Sequence, residues 1–446
     1  MFHRSAFVLI GLFGLGSQVS QAQEVNTAKL DSLLTALTVN NKLMGSVALS
    51  RNGTVVYSRA FGYQQLDGTT KIPATTATCY RVGSISKMFT ATIIFQLIEE
   101  GKLTLATTLA TYFPELPNAQ SITVGHLLGH RSGLHSFTSD AAYKTYFTQP
   151  KTQAELLAII GQTKADFAPG TKAEYSNTNY VVLSYIIEKI TKRPYAQVLQ
   201  QRVVAKAALK STYYGGKINP QKQESYSYAA GGSGWVLAPE TDMSIPSGAG
   251  GVVSTPTDLN RFLEALFGGK LVAPASLQQM QTITDRFGLG LFKLPFGTKA
   301  SYGHAGSIDG FAAITSYFPD EKLAVALCSN AQAYSTNEVL LGVLNIYFQR
   351  PYRIPSFQAS TFTPTPADLD RYAGTYATPR LPLKITMQKE GNTLRAQATG
   401  QSAFLLEPVS KDVFKFDQSG IRIQFDPAKP EFTLQQGGGS FLFTKE

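Results

Sequence analysis

Three groups of side chains in this sequence have the right types to move a proton and attack a carbonyl. The first is Ser84-Ile85-Ser86-Lys87, in the stretch RVGSISKMFTATIIFQLIEEG. Ser84 is the only serine in the chain with a lysine three residues later. If a helix starts here and continues through Ile93, Ile94, Leu97 and Ile98 to Gly101, the Ser84 hydroxyl lies at its positive end. Lys87 then lies one turn on, on the same face. A serine hydroxyl is inert until a neighbouring base takes its proton. Lysine, with a reference pKa near 10.4, can be that base only when burial or a nearby cation lowers it by about two or three units. The apolar helix would supply that burial. The same residues also suit an N-capping serine followed by a solvent-facing lysine, so the segment alone leaves both readings open.

The second group is Tyr175-Ser176-Asn177 in FAPGTKAEYSNTNYVVLSYIIEKIT, the single Tyr-x-Asn of the chain, in a turn before a helix expected to begin near Asn179. A tyrosine phenol with a depressed pKa could relay protons between a serine Oγ and a leaving group. Asn177 offers amide donor and acceptor groups to a substrate. The third is His304-Ala305-Gly306 in SYGHAGSIDGF, whose small residues at the start of a strand permit close backbone approach by a ligand. Taken singly, these read equally as a turn asparagine beside a half-buried tyrosine, and as a satisfied histidine at a strand edge.

Elements able to bring these groups together are legible around them. Leu30, Leu33, Leu34 and Leu37 share one face of a helix expected over Asn26 to Leu37. In GSVALSRNGTVVYSRAFGY, Asn52-Gly53 between two β-prone runs predicts a hairpin. A second hairpin is expected from AAITSYF and LAVALCS on either side of Pro319 to Lys322, followed by a helix from Asn337 to Phe348. The middle is mostly helical and loop-like. Hairpins at both ends of a helical middle predict an α+β architecture: an antiparallel sheet flanked by helices, with a mostly helical subdomain inserted. Residues 351–366 are rich in Pro, Thr and Ser and read as a linker. Beyond it the apolar residues alternate with period two over about eight short strands, which predicts a small all-β antiparallel barrel. The domain reading is therefore a signal peptide at 1–22, a catalytic unit at 23–350, a linker at 351–366 and a barrel at 367–446.

At 446 residues and 43% hydrophobic, the chain can bury a large core. Arg4, an apolar run from Ala6 to Gly16 and Ser20-Gln21-Ala22 predict a cleaved secretory signal and a secreted or periplasmic protein with no membrane span. No lipobox cysteine marks a lipid anchor. A net charge of +10 without Lys/Arg runs suits anionic envelope polymers and argues against nucleic acid. Cys79 and Cys328 read as buried small hydrophobes, although an oxidising compartment would permit them to pair. His126 and His130 have zinc-like i, i+4 spacing but no evident third ligand, so no metal is expected. No cofactor is expected either. Trp235, in a glycine-rich loop, could wall a cleft or plug the core, and the oligomeric state is not legible.

Together the serine, tyrosine and histidine-glycine motifs, in this order, resemble the penicillin-recognising serine hydrolases. The branch is that of class C β-lactamases, D-alanyl-D-alanine carboxypeptidases and D-aminopeptidases. The likeness runs from about Leu30 to Phe348 and includes ITVGHLLGHRSGL and GAGGVVSTPTDLNRFLEAL. The C-terminal strands, with Arg371 to Tyr376, are similar to the lipocalin-like barrel attached to some of these hydrolases. The resemblance implies Ser84 as acylated nucleophile, Lys87 as its activating partner and Tyr175 as general base and proton shuttle. It implies that Asn177 holds a substrate amide, and that the N–H groups of Ser84 and Ser307, beside Gly306, form an oxyanion hole. His304 stands where β-lactamases of this branch place lysine, so carboxylate attraction is expected to be weaker and more pH-dependent. The implied substrate is a small D-amino-acid peptide or amide, peptidoglycan fragments included. An esterase or weak β-lactamase on the same fold is the alternative, and a catalytically silent cell-wall peptide-binding protein is the rival class.

Overall fold

The structure, a computed structural model, describes residues 25–232, 234–357, 360–437 and 439–446. The expected signal peptide lies outside the described residues. Helix α1 (Thr27–Val39) starts at Asn26, whose side chain accepts from the Lys29 N–H at 3.0 Å. Its four spaced leucines are fully buried. Strands β1 (Leu43–Arg51) and β2 (Thr54–Phe61) form the expected hairpin. Both turn residues, Asn52 and Gly53, have positive φ (51° and 78°), the conformation for which Asn-Gly is preferred.

Helix α2 (Ser86–Glu99) is buried because its sequence is apolar all round, and such a helix has no face to show water. From Thr78 through Leu97 every residue is buried except Ser84. Around α2 pack α3 (Asn177–Thr191) and α4 (Pro256–Phe267), with Phe89 stacked on Phe262 at 4.0 Å between centroids. Truncating Phe89 to alanine there would cost about 3–5 kcal/mol.

The sheet is completed by the hairpin β3 (Tyr228–Gly231) and β4 (Gly234–Leu237), then β5 (Phe292–Lys293), β6 (Tyr302–Ile308), β7 (Phe311–Phe318) and β8 (Leu323–Gln332). Its order is β5-β6-β7-β8-β1-β2, with β3 joined to β8 and β4 hanging from β3. Antiparallel pairing of β1 with β8, from Leu43↔Gln332 to Arg51↔Leu323, closes one sheet from the two ends of this part of the chain. Helices α1 and α5 (Thr336–Tyr347) cover one face, and the α2–α3–α4 cluster covers the other. Trp235 lies on β4 rather than in a loop, half-buried beside Met44, Tyr228 and Ala331. Cys79 and Cys328 are buried and unpaired.

Pro366, at the end of the expected linker, opens helix α6 (Pro366–Tyr372). Nine strands follow, one more than the sequence suggests: β9 (Gly374–Ala377), β10 (Lys384–Glu390), β11 (Thr393–Ala398), β12 (Phe404–Leu405), β13 (Glu407–Ser410), β14 (Val413–Phe416), β15 (Ile421–Phe425), β16 (Glu431–Gln436) and β17 (Gly439–Lys445). They run antiparallel in the order β12-β11-β10-β9-β17-β16-β15-β14-β13, and the two edge strands are joined through Leu406, giving a nearly closed barrel. Among the described residues, no helix is long and apolar enough to cross a membrane.

Candidate active site

Ser84 sits in a single 3-10 turn, Gly83–Ile85, immediately before α2. The expected helix therefore begins two residues later, but the hydroxyl is still at its positive end. Lys87, in the first turn of α2, is completely buried. Its Nζ lies 2.9 Å from Ser84 Oγ, 2.8 Å from Asn177 Oδ1 and 2.9 Å from the Ala249 carbonyl. Burial without a carboxylate partner pulls its pKa well below the ordinary lysine value, because nothing there compensates a desolvated ammonium.

Tyr175 lies over this amine, with Lys87 Nζ 4.9 Å from the ring centre. Burial pushes the phenol up, outweighing a hydrogen bond with the Ser84 side chain that acts in the opposite direction. This corrects the expectation of a depressed tyrosine: a neutral lysine brings no charge to stabilise a phenolate. Asn177 is the first residue of α3 rather than part of the preceding turn. Its Oδ1 accepts from Lys87, its Nδ2 donates to Thr138 Oγ1 at 2.9 Å, and its backbone N–H donates to Ser136 Oγ at 3.1 Å.

His304 and Gly306 share one face of β6, as residues i and i+2 must. His304 is buried against Phe292, with ring centres 4.3 Å apart, and 6.4 Å from the Tyr175 ring. Burial, then the nearby Lys87, lowers its pKa to about 3. The histidine is therefore neutral at any physiological pH, so the expected pH-dependent attraction for a carboxylate is absent. A Cβ on Gly306 would stand 2.1 Å from the Val82 carbonyl and 2.7 Å from the Ser84 nitrogen, so only glycine lets β6 approach the serine turn. Ile308 and Phe311 close a two-residue turn. The next pair, Ser307 and Ala312, is then non-hydrogen-bonded, and the Ser307 N–H points out of the sheet edge toward Gly83 and Ser84.

The seven expected site residues thus meet in one place. Sequence reasoning did not place two neighbours found here, Ala249 and His130. Ala249 supplies its carbonyl to Lys87 from the GAGG run, where a Cβ on Gly248 would reach within 2.8 Å of Thr90 Oγ1. His130 is buried beneath Tyr175, ring centres 4.4 Å apart, and its Nδ1 accepts from the Ser176 N–H at 3.2 Å. His126 accepts from Thr123 at the start of its own helix, so the zinc-like pair is occupied otherwise. Among the described residues no three His, Cys, Asp or Glu side chains gather as metal ligands would.

A cleft of about 480 Å³ opens over Ser84. Phe137, Tyr143, Phe147 and Pro246, from the two regions flanking α3 in sequence, and Val181 of α3 itself make an apolar wall. Asp309 is the only ionisable acid or base other than tyrosine among the lining residues, and it is held by Arg81.

Residues 33–343 match the β-lactamase family, and the chain belongs to it. It is a serine hydrolase of that family, followed by a lipocalin-like barrel. A penicillin-binding protein of Bacillus subtilis (strain 168) is 26% identical over 443 residues, covering 92% of this chain and 96% of its own. The teichoic acid D-alanine hydrolase of Staphylococcus aureus is 25% identical over 328 residues, covering 72% and 77%. Among solved structures, the D-amino acid amidase of Ochrobactrum anthropi SV3, complexed with D-phenylalanine, superposes with a TM-score of 0.65 at 26% identity, covering 72% of this chain and 99% of that one.

Proposed function

We propose that the protein cleaves amide bonds of small D-amino-acid compounds through an acyl-enzyme on Ser84. The observation that carries this reading is the buried Lys87 amine 2.9 Å from Ser84 Oγ. A neutral amine has two N–H donors and one lone pair. Asn177 Oδ1 and the Ala249 carbonyl can only accept, so they take both donors. The lone pair is left facing the serine hydroxyl. In this reading Lys87, not Tyr175, is the base for acylation: the Ser84 proton moves to Nζ as Oγ attacks the carbonyl carbon. The oxyanion forms against the N–H groups of Ser84 and Ser307. Tyr175, kept protonated by burial, gives its proton to the leaving nitrogen as the C–N bond breaks, and Lys87 returns a proton to the phenolate. Water then releases the acid by the reverse path.

The cleft lining offers no unpaired cation and His304 is uncharged, which favours an uncharged leaving group over a C-terminal carboxylate. The relatives that act on D-amino acid amides and D-alanine conjugates support the stereochemistry. The N-terminal signal pattern supports an exported enzyme, so D-amino-acid compounds of the cell envelope are the natural pool. An ester requires the same groups with an easier leaving group and is expected as a second substrate.

The test is turnover of D- and L-phenylalanine amide by wild type and Ser84→Ala, with intact-mass detection of the acyl adduct from an activated D-ester. Preference for the D-amide and an adduct lost in Ser84→Ala are expected. An adduct that persists in Ser84→Ala would overturn the reading.

A further inference from the structure

Both oxyanion donors are backbone groups, so their separation is set by whatever ties their two segments together. Gly83 and Gly306 let the segments come into backbone contact, since a Cβ on Gly83 would stand 2.8 Å from Ser307 backbone atoms. A buried ion pair limits how far apart they can move. Arg81 ends the short strand Tyr80–Arg81, three residues before Ser84. Asp309 opens the turn between β6 and β7, two residues after Ser307. Their side chains are 2% and 1% exposed, with Arg81 Nη1 2.9 Å from Asp309 Oδ2.

Both groups are engaged by the walls around them, with only the buried Arg81 Nε lacking a hydrogen-bond partner. Asp309 Oδ1 accepts from the Thr241 N–H at 3.0 Å and its hydroxyl at 2.6 Å. The Arg81 guanidinium also donates to the carbonyls of Thr241 (2.8 Å) and Gly216 (2.9 Å), and to Glu240 Oε1 at 2.5 Å. Asp309 has a φ of 54°, in the left-handed region that favours glycine, and an aspartate is held there by these bonds. A buried ion pair adds little net stability over apolar residues of equal volume, so stability is a weak reason for such a cluster, whereas fixed geometry is a good one. The planar fork of arginine suits it to hold several acceptors at set directions.

We propose that the Arg81–Asp309 pair is a positioning device for acyl transfer. It fixes the gap between the Ser84 and Ser307 N–H groups and, through Glu240 and Thr241, locks that gap to the cleft wall. The inference rests on the acyl-enzyme reading above and adds residues that never touch the reacting atoms.

Asp309→Asn, Arg81→Lys and the double variant Arg81→Gln/Asp309→Asn are compared with wild type and Ser84→Ala on a D-phenylalanine ester and its thionoester. Sulfur is larger than oxygen and a poorer acceptor, so a correctly spaced hole prefers the ester and a loosened hole loses that preference. The single variants are expected to lose about tenfold or more in kcat with KM little changed, since displacements near 1 Å cost about 10²-fold. Their ester-over-thionoester ratio falls with kcat. The double variant, which removes both buried charges and leaves only the more exposed Glu240 without its arginine, is expected to regain melting temperature relative to the single variants but neither kcat nor the ratio. Should Asp309→Asn not fold, Arg81→Lys and the double variant carry the same readings. Recovery of kcat together with melting temperature in the double variant, or wild-type ratios in every variant that folds, overturns the positioning role alone. A wild-type adduct that does not depend on Ser84 brings down the acyl-enzyme reading and this inference with it.

Discussion

At the scale of single residues, the site is organised by what burial does to three proton carriers. Lys87 is pulled down, His304 is pulled down and Tyr175 is pushed up, each mainly by desolvation. In the proposed mechanism the reactive form has Lys87 neutral, so kcat/KM should rise with pH through a limb below the ordinary lysine range, and that limb should belong to Lys87. Lys87→Arg cannot lose its proton at any accessible pH, and a loss of about 10²–10⁴-fold with no alkaline recovery is expected. A pH–rate profile of this variant that keeps the wild-type limb would assign it to another group. Tyr175 is tested by leaving group. An amide nitrogen must be protonated to depart, whereas p-nitrophenolate need not be. Tyr175→Phe should therefore cost the D-amide about 10²–10⁴-fold and the p-nitrophenyl ester much less. Equal losses on the two substrates would point to a structural tyrosine.

At the scale of elements, the serine turn, the start of α3 and strand β6 must touch without side chains between them. Gly306→Ala places a methyl 2.1 Å from the Val82 carbonyl, where only backbone could yield. Overpacking of this kind costs about 1–3 kcal/mol or more, and here the displaced atom is the Ser84 N–H itself. A drop in melting temperature and a loss of acylation exceeding that of Ala305→Gly, whose side chain is solvent-exposed, are expected from differential scanning and adduct formation. Gly306→Ala with wild-type acylation would separate this contact from the oxyanion site. These elements also mark where the sequence was readable. Asn52-Gly53, the leucines of α1 and the SxxK, YxN and HxG motifs are local patterns, each visible within a few residues. The directions of Tyr175 and His304 were not visible, because burial is a property of the packed molecule. Nor were the Ala249 carbonyl on Lys87, His130 under Tyr175 or the Arg81–Asp309 pair, which join residues far apart in the chain.

At the scale of the whole molecule, none of the described residues of the barrel lines the cleft. It docks on the hydrolase through Lys42 and Asp417 (3.0 Å), the Ser335 N–H on the Asp417 carbonyl (3.2 Å) and the Gly437 N–H on Glu338 (2.9 Å). The buried histidines of the catalytic unit couple its chemistry to global stability. His304 is neutral in the folded chain down to about pH 3, but charges near its ordinary value of 6.5 once unfolded. Between those values the unfolded chain binds the additional proton, so stability rises with pH across that window and falls on acidification. Nothing is lost above 6.5, where both states are neutral. A shift of this size corresponds to a loss on the order of 5 kcal/mol by the bottom of the window. His130, also lowered well below its ordinary value by burial, acts in the same direction. Melting temperatures at pH 7.5, 5.5 and 4 should fall steeply for wild type and less steeply for His304→Gln, which cannot take up the proton. Identical slopes for the two proteins would mean that His304 is reached by solvent and charges in the folded state.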